Sequence, residues 1–562
     1  MKSGGPFFEV KMPESKRRVV IVGASAAGLR CACRLARLDP EVAITVVEAR
    51  DVFSYGACGL PYVLSGDIDN LQELRRTNYG VIRDAAFFAD YKGIEVCTGW
   101  RATAIDIEGH VLEGETAEGT QRLEFDDLVF ATGATPLKLP DQPDHDRVHS
   151  FHTWDDVKPL KMGLMQGEID HVAVVGAGLV GCELAEAFHS LWGAEVSLIE
   201  TAPTVLPQMV DPEAGALIGR HLEDSGVRLF TGTKVDAIEA GDDGAVVKIG
   251  DDTITCDAVV VAVGVAPNVA IAQAVGAEVG SSGALIVDER LATTVDHVWA
   301  AGDCVECTHV VTGEPTYLPL GSLANRQGRT LANVLAGFDD AFPLVTGATA
   351  VKVFDWNVAA VGCTAAQLQR SGVEFKSMWI TGEATPAYWP ESKEIFITLH
   401  YDARNLRVLG VQAAGAGDVA KRVDIASQLI AYGATLEDFA ELEHAYAPPY
   451  APAIDPLAVA AFVALNQEAG LIALSPQVSI EGRKVIDVRL PEERERRAIE
   501  IDGIIGVEMS EVRERIGDIG DGPVLVVCER GTRSAEVALW LKRSGIDACY
   551  LGGGMSWRGK SR

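Results

Sequence analysis

The sequence lacks any continuous run of about 18 uncharged apolar residues, the length that a membrane-spanning helix needs. Residues 1–18 also lack an apolar stretch, so we expect no signal peptide. Basic residues are scarce: 49 Lys and Arg stand against 80 Asp and Glu, a net charge of −31. Such an acidic surface repels nucleic acids and anionic membranes, and we expect neither as a partner.

The 11 cysteines are scattered without a pairing pattern, and Cys304 and Cys307 flank the exit of a predicted strand. This spacing argues against a disulfide scaffold and against a zinc site, so we expect reduced thiols, a cytoplasmic location and no bound metal. Apolar residues make up 48% of the 562 residues and charged residues 23%, which is ordinary globular composition. The length predicts roughly four domains.

An internal duplication is the most informative large-scale feature. RRVVIVGASAAGLRCACRLARLDPEVAITVVEA, from Arg17, matches HVAVVGAGLVGCELAEAFHSLWGAEVSLIE, from His171, in pattern. Each predicts an apolar strand, a Gly-rich turn, a helix with apolar residues at three- and four-residue spacing, and a strand that ends in Glu. The loop positions and closing acids are Gly23, Ser25, Gly28 and Glu48 in the first segment and Gly176, Gly178, Gly181 and Glu200 in the second.

Both segments are typical of dinucleotide-binding βαβ units, although either loop alone could be a purely structural turn. Glycines allow close approach of a pyrophosphate, and the helix N-terminus offers free N–H groups and partial positive charge. The closing Glu accepts hydrogen bonds from a ribose. Glu200 would repel a 2′-phosphate, and the TAPT that follows it contains no Arg, so we expect NADH rather than NADPH.

Three further strand-turn motifs accompany the duplication: DDLVFATGATP from Asp126, DAVVVAVGVAPN from Asp257, and VWAAGDC from Val298. Together these motifs resemble the FAD-containing pyridine nucleotide–disulfide oxidoreductases. The resemblance implies an NAD domain inserted into an FAD domain. It assigns Thr132, Gly133 and Asp303 to the FAD site, and Glu183 and Gly264 to the NAD site.

The expected fold class is α/β, with two Rossmann-like domains, an α+β dimerisation domain that the resemblance implies, and a C-terminal α/β domain whose CERGTRS, VIDVR and YLGGGMSW motifs resemble a rhodanese domain. The expected divisions are an N-terminal extension (1–16), an FAD domain (17–152 and 271–340), an NAD domain (153–270), a dimerisation domain (341–465), a linker (466–473) and the rhodanese domain (474–562).

Cys58, in SYGACGLPY, is the first candidate catalytic thiol. An internal C-x4-C disulfide would need a cysteine at position 63, which is Val63. A lone thiol beside a flavin must form a mixed disulfide with a small thiol or be oxidised to a sulfenic acid. A buried core cysteine is the alternative, but the probable helix start favours a stabilised thiolate.

The S-x3-C-G-x-P-Y pattern around Cys58 resembles the coenzyme A-disulfide reductases and their persulfide-reductase relatives. This resemblance implies a homodimer in which Tyr388 and Tyr446 reach the thiol of the partner subunit, where a phenol could donate a proton. Ordinary interface packing is the alternative role for either tyrosine. Ala57 and Ile454 depart from the subgroup, which commonly has Asn and Lys there.

Arg30, Arg34 and Arg37 share one helix face and form a local basic stripe in an acidic chain. Coenzyme A carries three phosphate groups, and the resemblance places this stripe at its nucleotide. A solvated helix face is the alternative. The resemblance adds Ser54 near the pantetheine end, together with Asn325 and Arg326.

CERGTRS, which begins at Cys528, is the second candidate thiol site. A Cys-x4-Arg loop between a strand and a helix points backbone N–H groups at an anionic sulfur. With VIDVR and YLGGGMSW, it resembles a single rhodanese domain, in which Arg530 and Arg533 would supply positive charge to the sulfur donor. A degenerate rhodanese fold used only for binding is the alternative.

The function we expect is NADH-dependent reduction of coenzyme A disulfide, coenzyme A persulfide or polysulfide through FAD and Cys58, with Cys528 carrying sulfur. One alternative is an NADH oxidase or peroxidase with a Cys58 sulfenate, although Ala26 stands where those enzymes place a His. The other is a non-enzymatic redox-sensing or sulfur-delivery protein.

Overall fold

The computed structural model describes residues 17–520 and 522–558, and the predicted N-terminal extension, residues 1–16, lies outside them. Four units follow one another along these residues, with the second inserted into the first. This architecture confirms the predicted fold class. Within the described ranges, no helix is long and apolar enough to cross a membrane.

The first unit begins with an alternation of strands and helices. Val, Ile and Ala dominate its central strands, which are buried as parallel strands covered on both faces require. The elements are β1 (Arg18–Val22), α1 (Ala26–Leu38), β2 (Ala43–Val47), α2 (Leu60–Leu64), α3 (Ala85–Lys92), β3 (Ile94–Cys97), β4 (Arg101–Asp106), β5 (Val111–Thr116), β6 (Gly119–Glu124), β7 (Asp127–Phe130), β8 (Ala134–Pro136) and β9 (Val148–Ser150).

The second unit and the return to the first follow. The elements are α4 (Trp154–Gln166), β10 (His171–Val175), α5 (Leu179–Ser190), β11 (Glu195–Ile199), α6 (Pro212–Asp224), β12 (Arg228–Phe230), β13 (Ala237–Gly241), β14 (Gly244–Ile249), β15 (Asp252–Cys256), β16 (Ala258–Val261), β17 (Val265–Pro267), α7 (Ala270–Ala274), β18 (Val298–Ala300), β19 (Cys307–Thr308), β20 (Pro315–Thr316) and α8 (Gly321–Leu335).

Parallel sheets form the centres of both units. The first sheet has the order β18-β7-β1-β2-β3, so the chain returns to the first unit after the insertion. The second has the order β12-β11-β10-β16-β9. Its edge strand β9 lies upstream of residue 153, where the sequence placed the start of this domain. Three residues are too few for a periodic signal, so sequence reasoning could not place this strand.

The third unit has an antiparallel sheet of order β21-β22-β25-β24-β23, covered by helices that pack on its apolar face. Burial alternates along the edge strand β21 and part of β23, as is typical of an antiparallel sheet, whereas the central strands β24 and β25 are buried along nearly their whole length. Its elements are β21 (Thr349–Val353), β22 (Trp356–Gly362), α9 (Ala365–Arg370), β23 (Phe375–Glu383), β24 (Glu394–Asp402), β25 (Val408–Gly415), α10 (Ala420–Ala431), α11 (Leu436–Ala440) and α12 (Pro456–Glu468).

The fourth unit is a small parallel sheet of order β26-β30-β29-β27-β28 with short flanking helices. Half of the expected linker, residues 466–473, is taken up by the end of α12 and the start of β26, and residues 469–472 connect the two elements. The elements are β26 (Ala473–Leu474), β27 (Lys484–Asp487), α13 (Pro491–Arg496), β28 (Ile505–Gly506), α14 (Ile516–Ile519), β29 (Val524–Val527), α15 (Thr532–Arg543) and β30 (Ala548–Leu551), and a 3₁₀ turn spans Met555–Arg558.

Trp557 joins the fourth unit to the others. Its side chain is 1% exposed, its ring packs edge-on against Phe396 at 5.4 Å, and its Nε1 donates to the carbonyl of Ile380 at 3.3 Å. Arg220, on α6 of the second unit, donates to the carbonyl of Trp557. The fourth unit therefore shares buried contacts with the second and third units.

A buried ion pair joins the second and third units. His400 on β24 and Asp211, the N-cap of α6, are 1% and 3% exposed, and Nε2 lies 2.5 Å from Oδ2. Gln412 and the Ala365 N–H also donate to the Asp211 carboxylate. Burial alone would raise the pKa of Asp211, but the hydrogen bonds and the charge of His400 outweigh it and lower that pKa.

Asp211→Asn is expected to lower the free energy of unfolding by about 2–3 kcal/mol at pH 7, because it weakens the buried hydrogen bonds that the carboxylate accepts from His400, Gln412 and the Ala365 N–H. Since folding lowers the pKa of Asp211, its contribution is present above the unfolded value of about 3.9 and is lost at lower pH. Urea unfolding followed by tryptophan fluorescence at several pH values measures both effects.

The control is Asp355→Asn, which removes a carboxylate that is 75% exposed beside His221. This change should alter stability by less than about 1 kcal/mol. Equal effects of the two variants would contradict a special role for the buried pair.

Candidate active site

The first Gly loop joins β1 to α1. A Cβ on Gly28 would lie 2.0 Å from the carbonyl oxygen of Gly23, so the helix can approach the loop only through a glycine. Ser25 is the N-cap of α1, and its side chain makes no capping hydrogen bond. The N-terminus of α1 therefore has the open N–H groups that bind a pyrophosphate.

The second loop, between β10 and α5, repeats this construction. A Cβ on Gly181 would lie 1.8 Å from the carbonyl oxygen of Gly176, whereas one on Gly178 would meet open space. Gly178 is the N-cap of α5 and has no capping side chain. The second loop therefore fits a pyrophosphate as the first does.

The two closing glutamates make matching hydrogen bonds. Glu48 accepts from the N–H groups of Ala24 at 3.0 Å and Arg50 at 3.1 Å. The buried Glu200 accepts from the N–H groups of Ala177 and Ala202, each at 2.8 Å. In both duplicated segments, therefore, the closing carboxylate hydrogen-bonds the Gly loop and the residues that follow the next strand.

A crossover links the two dinucleotide units. Gly133 and Gly264 follow β7 and β16, and the adjoining strands β8 and β17 pair. Thr132 Oγ1 donates to the carbonyl of Asn268 at 2.6 Å, and Asn268 Nδ2 donates back to Thr132 at 2.9 Å. Sequence reasoning missed Asn268, because the APN turn gives no sign that it faces a residue 136 positions away.

Asp303 follows β18 in the first unit. Burial raises the pKa of its carboxyl to about 6, and none of the described residues donates a hydrogen bond to that carboxylate. An unpartnered carboxylate beside an open Gly loop fits the hydroxyl groups of a flavin dinucleotide. Tyr317 fixes the local backbone by donating to the carbonyl of Asp303 at 2.9 Å.

Cys58 lies in a 3₁₀ turn, Ala57–Gly59, just before α2. Its thiol is free and partly exposed, and a Cβ on Gly321, at the start of α8, would lie 3.7 Å from its Sγ. The buried Ser54 has a φ of +57° and donates its N–H to the carbonyl of Ala24, which ties the Cys58 segment to the first Gly loop. Val63 is fully buried and offers no second thiol.

The surroundings of Cys58 raise the pKa of its thiol. The largest cause is burial of the sulfur on its protein side, and the carboxylates of Glu183 and Asp303 add to it. The sequence predicted a stabilised Cys58 thiolate, because the residue lies just before a helix. The described residues have the opposite effect, since a raised pKa favours the neutral thiol. Asp303 belongs to the first unit and Glu183 to the second, so Cys58 lies where the two units meet.

Glu183, on α5, connects the second unit to the Cys58 segment. Tyr62 donates to its Oε1 at 3.4 Å. Burial, with a contribution from Glu186, raises the pKa of Glu183 to about 7, while the hydrogen bond from Tyr62 opposes the rise. The charge beside Cys58 therefore changes near neutral pH.

The predicted basic stripe lies on α1, which packs against α8. Arg30 and Arg37 are exposed, and Arg34 donates to Asn333 Oδ1 at 3.0 Å. On α8, Asn325 donates to the carbonyl of Gly321, and Arg326 stacks on Phe342 with 5.3 Å to the ring centroid. All five predicted residues thus lie on two packed helices, one of which begins beside Cys58.

Arg83 and Lys92 extend the positive charge around α1. Their charges act on Cys33 together with those of Arg30 and Arg37, although burial still raises the pKa of that thiol. Sequence reasoning missed both residues because they lie outside the helix that carries the stripe.

Tyr388 and Tyr446 lie together on the surface of the third unit. Tyr388 is in the β23–β24 loop and Tyr446 precedes α12; they are 71% and 51% exposed. A hydrogen bond between their side chains raises the pKa of Tyr388. The fold thus brings together two tyrosines that are 58 positions apart in the sequence.

Cys528 is buried at the end of β29. The N–H groups of Gly531 and Ser534 donate to its Sγ at 3.1 and 3.3 Å, and its thiol donates to Ser534 Oγ. Arg533 interacts electrostatically with Cys528 but is ion-paired with Glu493 at 2.7 Å. The predicted nest of N–H groups is therefore present.

Arg530 departs from its predicted role. Its guanidinium pairs with Glu383 at 2.5 Å and Glu394 at 2.9 Å, both in the third unit. It therefore contributes to contact between units instead of supplying free positive charge to the sulfur. The sequence could not indicate this, because the partners lie more than 130 positions upstream.

Family models match most of the chain. One described as "Pyridine nucleotide-disulphide oxidoreductase" matches residues 17–328, and one described as its dimerisation domain matches residues 348–458. The "NAD(P)H sulfur oxidoreductase (CoA-dependent)" of Pyrococcus abyssi is 32% identical over 81% of this chain and 99% of its own.

Two solved structures are similar over nearly the whole chain. The NAD-dependent persulfide reductase from A. fulgidus has a TM-score of 0.93 at 36% identity and covers 96% of this chain and 99% of its own. Reduced Bacillus anthracis CoADR-RHD has a TM-score of 0.89 at 28% identity, covering 97% and 98%. The fourth unit is thus within the range of both similarities.

Glu183→Gln is expected to speed alkylation of Cys58 by iodoacetamide about two- to tenfold at pH 8, because the lost negative charge lowers the pKa of the thiol. Since the pKa of Glu183 is about 7, the two rates should converge at pH 6, where wild-type Glu183 is neutral. The rate is followed by mass spectrometry of the Cys58 peptide.

Glu195→Gln is the matched control, because it makes the same charge change at an exposed position of the second unit that does not act on Cys58, and it should react like the wild type at pH 8. A Glu183→Gln profile that coincides with the wild-type profile would show that this carboxylate does not act on Cys58.

Proposed function

We propose that this chain, which belongs to the pyridine nucleotide-disulphide oxidoreductase family, is an FAD-dependent NADH oxidoreductase. It acts on sulfur carried by coenzyme A. Its substrates are coenzyme A persulfide or polysulfide and coenzyme A disulfide. The observation that carries this proposal is the lone Cys58 thiol, placed where carboxylates of both dinucleotide units act on it.

The first unit holds FAD through its Gly loop, Glu48 and the unpartnered carboxylate of Asp303, with Thr132 and Gly133 beside it. The second unit holds NADH through its own loop, Glu183, Glu200 and Gly264. When bound, FAD and NADH supply the two electrons that the reaction consumes. The buried Glu200 disfavours a 2′-phosphate, so NADH is preferred over NADPH.

Cys58 performs the sulfur chemistry as a nucleophile. Its thiolate attacks the inner sulfur of CoA–S–SH, the S–S bond breaks, and HS⁻ leaves as a Cys58–S–S–CoA disulfide forms. Two electrons then cleave this disulfide to regenerate the Cys58 thiolate and release coenzyme A as its thiol after protonation. Coenzyme A disulfide reacts in the same way, with coenzyme A thiolate as the leaving group.

Coenzyme A binds along α1 and α8, with its thiol at Cys58. Arg30, Arg34 and Arg37 face its phosphates, Ser54 lies near the pantetheine end, and Asn325 and Arg326 contribute from α8. Because the two helices are packed together and α8 starts beside Cys58, a ligand held along them can present its thiol to the sulfur.

The fourth unit acts as a rhodanese domain in which Cys528 carries a sulfane sulfur. The N–H groups of Gly531 and Ser534 stabilise the anionic sulfur, while Arg533, which lines the same pocket, is paired with Glu493. The small thiol that cycles at Cys58 exchanges sulfur with Cys528.

The protein acts as a homodimer through its third unit. The exposed pair Tyr388 and Tyr446 then lies at the Cys58 site of the partner subunit. A phenol there donates a proton to the departing sulfur or holds it in place.

Cys58→Ser is expected to reduce NADH-dependent sulfide release from coenzyme A persulfide on the order of 10³-fold or more, because the nucleophile is lost. Anaerobic NADH oxidation and sulfide release measure this. Cys97→Ser, which removes a half-buried thiol of the first unit, should leave the rate unchanged. Oxygen consumption that rivals sulfide release in the wild type would favour an NADH oxidase instead.

Mixed dimers test whether the tyrosines act across the interface. Consider a dimer of one C58S subunit and one Y388F/Y446F subunit. If the tyrosines act on the partner subunit, this dimer contains one site that has both Cys58 and the two tyrosines. Random 1:1 mixing should then restore about a quarter of wild-type activity, since half of the dimers are mixed and each has one working site. Activity no higher than that of the two parent variants would assign the tyrosines to their own subunit.

A further inference from the structure

The pocket at Cys528 contains as much negative as positive charge. It is open, has a volume of about 300 Å³, and is lined by Glu493, Cys528, Glu529, Arg530, Thr532 and Arg533. A site that binds a small dianion normally offers cationic groups free to contact it. Here two carboxylates line the same pocket as the two guanidinium groups.

Both lining arginines are already ion-paired. Arg530 contacts Glu383 and Glu394, and Arg533 contacts Glu493 at 2.7 Å. The Glu493 side chain is only 18% exposed, so solvent screens this pair less than a surface pair. A dianion entering the pocket would have to displace a carboxylate from a guanidinium before gaining a contact of its own.

The wider ion-pair network does not supply spare positive charge. Glu529 is paired with Arg497 at 2.5 Å and with Arg489 at 3.5 Å, and Arg489 also pairs with Asp487. The ion pairs around the pocket form three separate sets: Arg530 with Glu383 and Glu394, Arg533 with Glu493, and Arg489 and Arg497 with Asp487 and Glu529. Together these five carboxylates and four guanidinium groups carry one net negative charge before Cys528 ionises.

We propose that Glu493 is a specificity-determining residue: by occupying Arg533, it excludes thiosulfate from Cys528 and leaves thiol persulfides as the sulfur donors. This deepens the proposed function and rests on its rhodanese assignment. A thiol persulfide inserts an uncharged carbon chain and a terminal sulfur, so it needs no free guanidinium in the pocket. Thiosulfate brings two negative charges into a pocket whose two guanidinium groups are already paired with carboxylates.

The two loading reactions differ in the group that must leave. With R–S–SH, the Cys528 thiolate attacks the outer sulfur, the S–S bond breaks, and R–S⁻ leaves as Cys528–S–SH forms. With thiosulfate, the same attack on the outer sulfur expels sulfite as a dianion and forms Cys528–S–S⁻. Only the second reaction requires the pocket to stabilise a small doubly charged leaving group, and a guanidinium neutralised by Glu493 does this poorly.

The experiment compares sulfur loading of Cys528 from thiosulfate and from glutathione persulfide in the full-length holoenzyme. The gain of one sulfur atom on the Cys528 peptide is followed by mass spectrometry under anaerobic conditions. Wild type should load from the persulfide at least tenfold faster than from thiosulfate. Glu493→Gln should raise the thiosulfate rate at least tenfold while changing the persulfide rate less than threefold.

The chain offers matched controls. Gln at position 493 still accepts the Leu490 N–H that caps α13, so the helix should remain intact. Glu492→Gln makes the same charge change at the exposed neighbouring position and should leave both rates unchanged. Adding Arg533→Gln to Glu493→Gln should cancel the gain with thiosulfate, because the released guanidinium is then gone.

Equal wild-type loading from the two donors, or a Glu493→Gln variant whose donor ratio matches the wild type, would overturn the proposal. NADH oxidation with coenzyme A disulfide is measured on the same samples, because it depends on Cys58 and not on Cys528. If the wild type does not oxidise NADH with coenzyme A disulfide but still loads Cys528 faster from persulfide than from thiosulfate, the result counts against the reductase function alone. Failure of wild-type Cys528 to load from either donor would count against the rhodanese assignment.

Discussion

The segment around Trp557 is the constraint on which the arrangement of the two thiols depends. The N–H groups of Met555 and Ser556 donate to the carbonyls of Cys528 and Glu529, each at 2.9 Å, so this segment closes over the sulfur-carrying loop. Trp557 itself is buried among the second and third units. One short stretch of chain therefore hydrogen-bonds to the Cys528 loop and packs against the second and third units, which joins that loop to the rest of the protein.

The β23–β24 hairpin gives the third unit a part in both thiol sites. Glu383 at the end of β23 and Glu394 at the start of β24 hold Arg530 of the Cys528 loop. The loop between these two glutamates carries Tyr388, which is proposed to act at Cys58 of the partner subunit. Tyr388 is five positions from Glu383 and six from Glu394, so a contact with one thiol loop and a proposed contact with the other lie close together in the sequence. A domain whose family description concerns dimerisation also organises the chemistry on both sides of it.

Local sequence patterns were sufficient for features that contiguous residues create. The two βαβ units, Cys58 before a helix and the Cys528 loop all follow from a strand, a turn and a helix in succession. Features that depend on distant residues could not be predicted. Asn268 meets Thr132 across 136 positions, His400 meets Asp211 across 189, and Arg530 meets Glu383 across 147. The motif resemblance likewise suggested that Arg530 and Arg533 supply positive charge at Cys528, because a local motif does not reveal which distant carboxylates pair with them.

The contact between Arg220 and Trp557 spans 337 residues of chain. A ribosome that adds 5–20 residues per second needs about 15–70 s to synthesise that stretch. The recess that receives Trp557 also needs Ile380 and Phe396 of the third unit, so it can form only after residue 396 has been added. The nascent chain then still lacks the last 161 residues up to Trp557, about 8–32 s of synthesis, a period in which chaperones have access to the apolar recess and neighbouring nascent chains can compete for it.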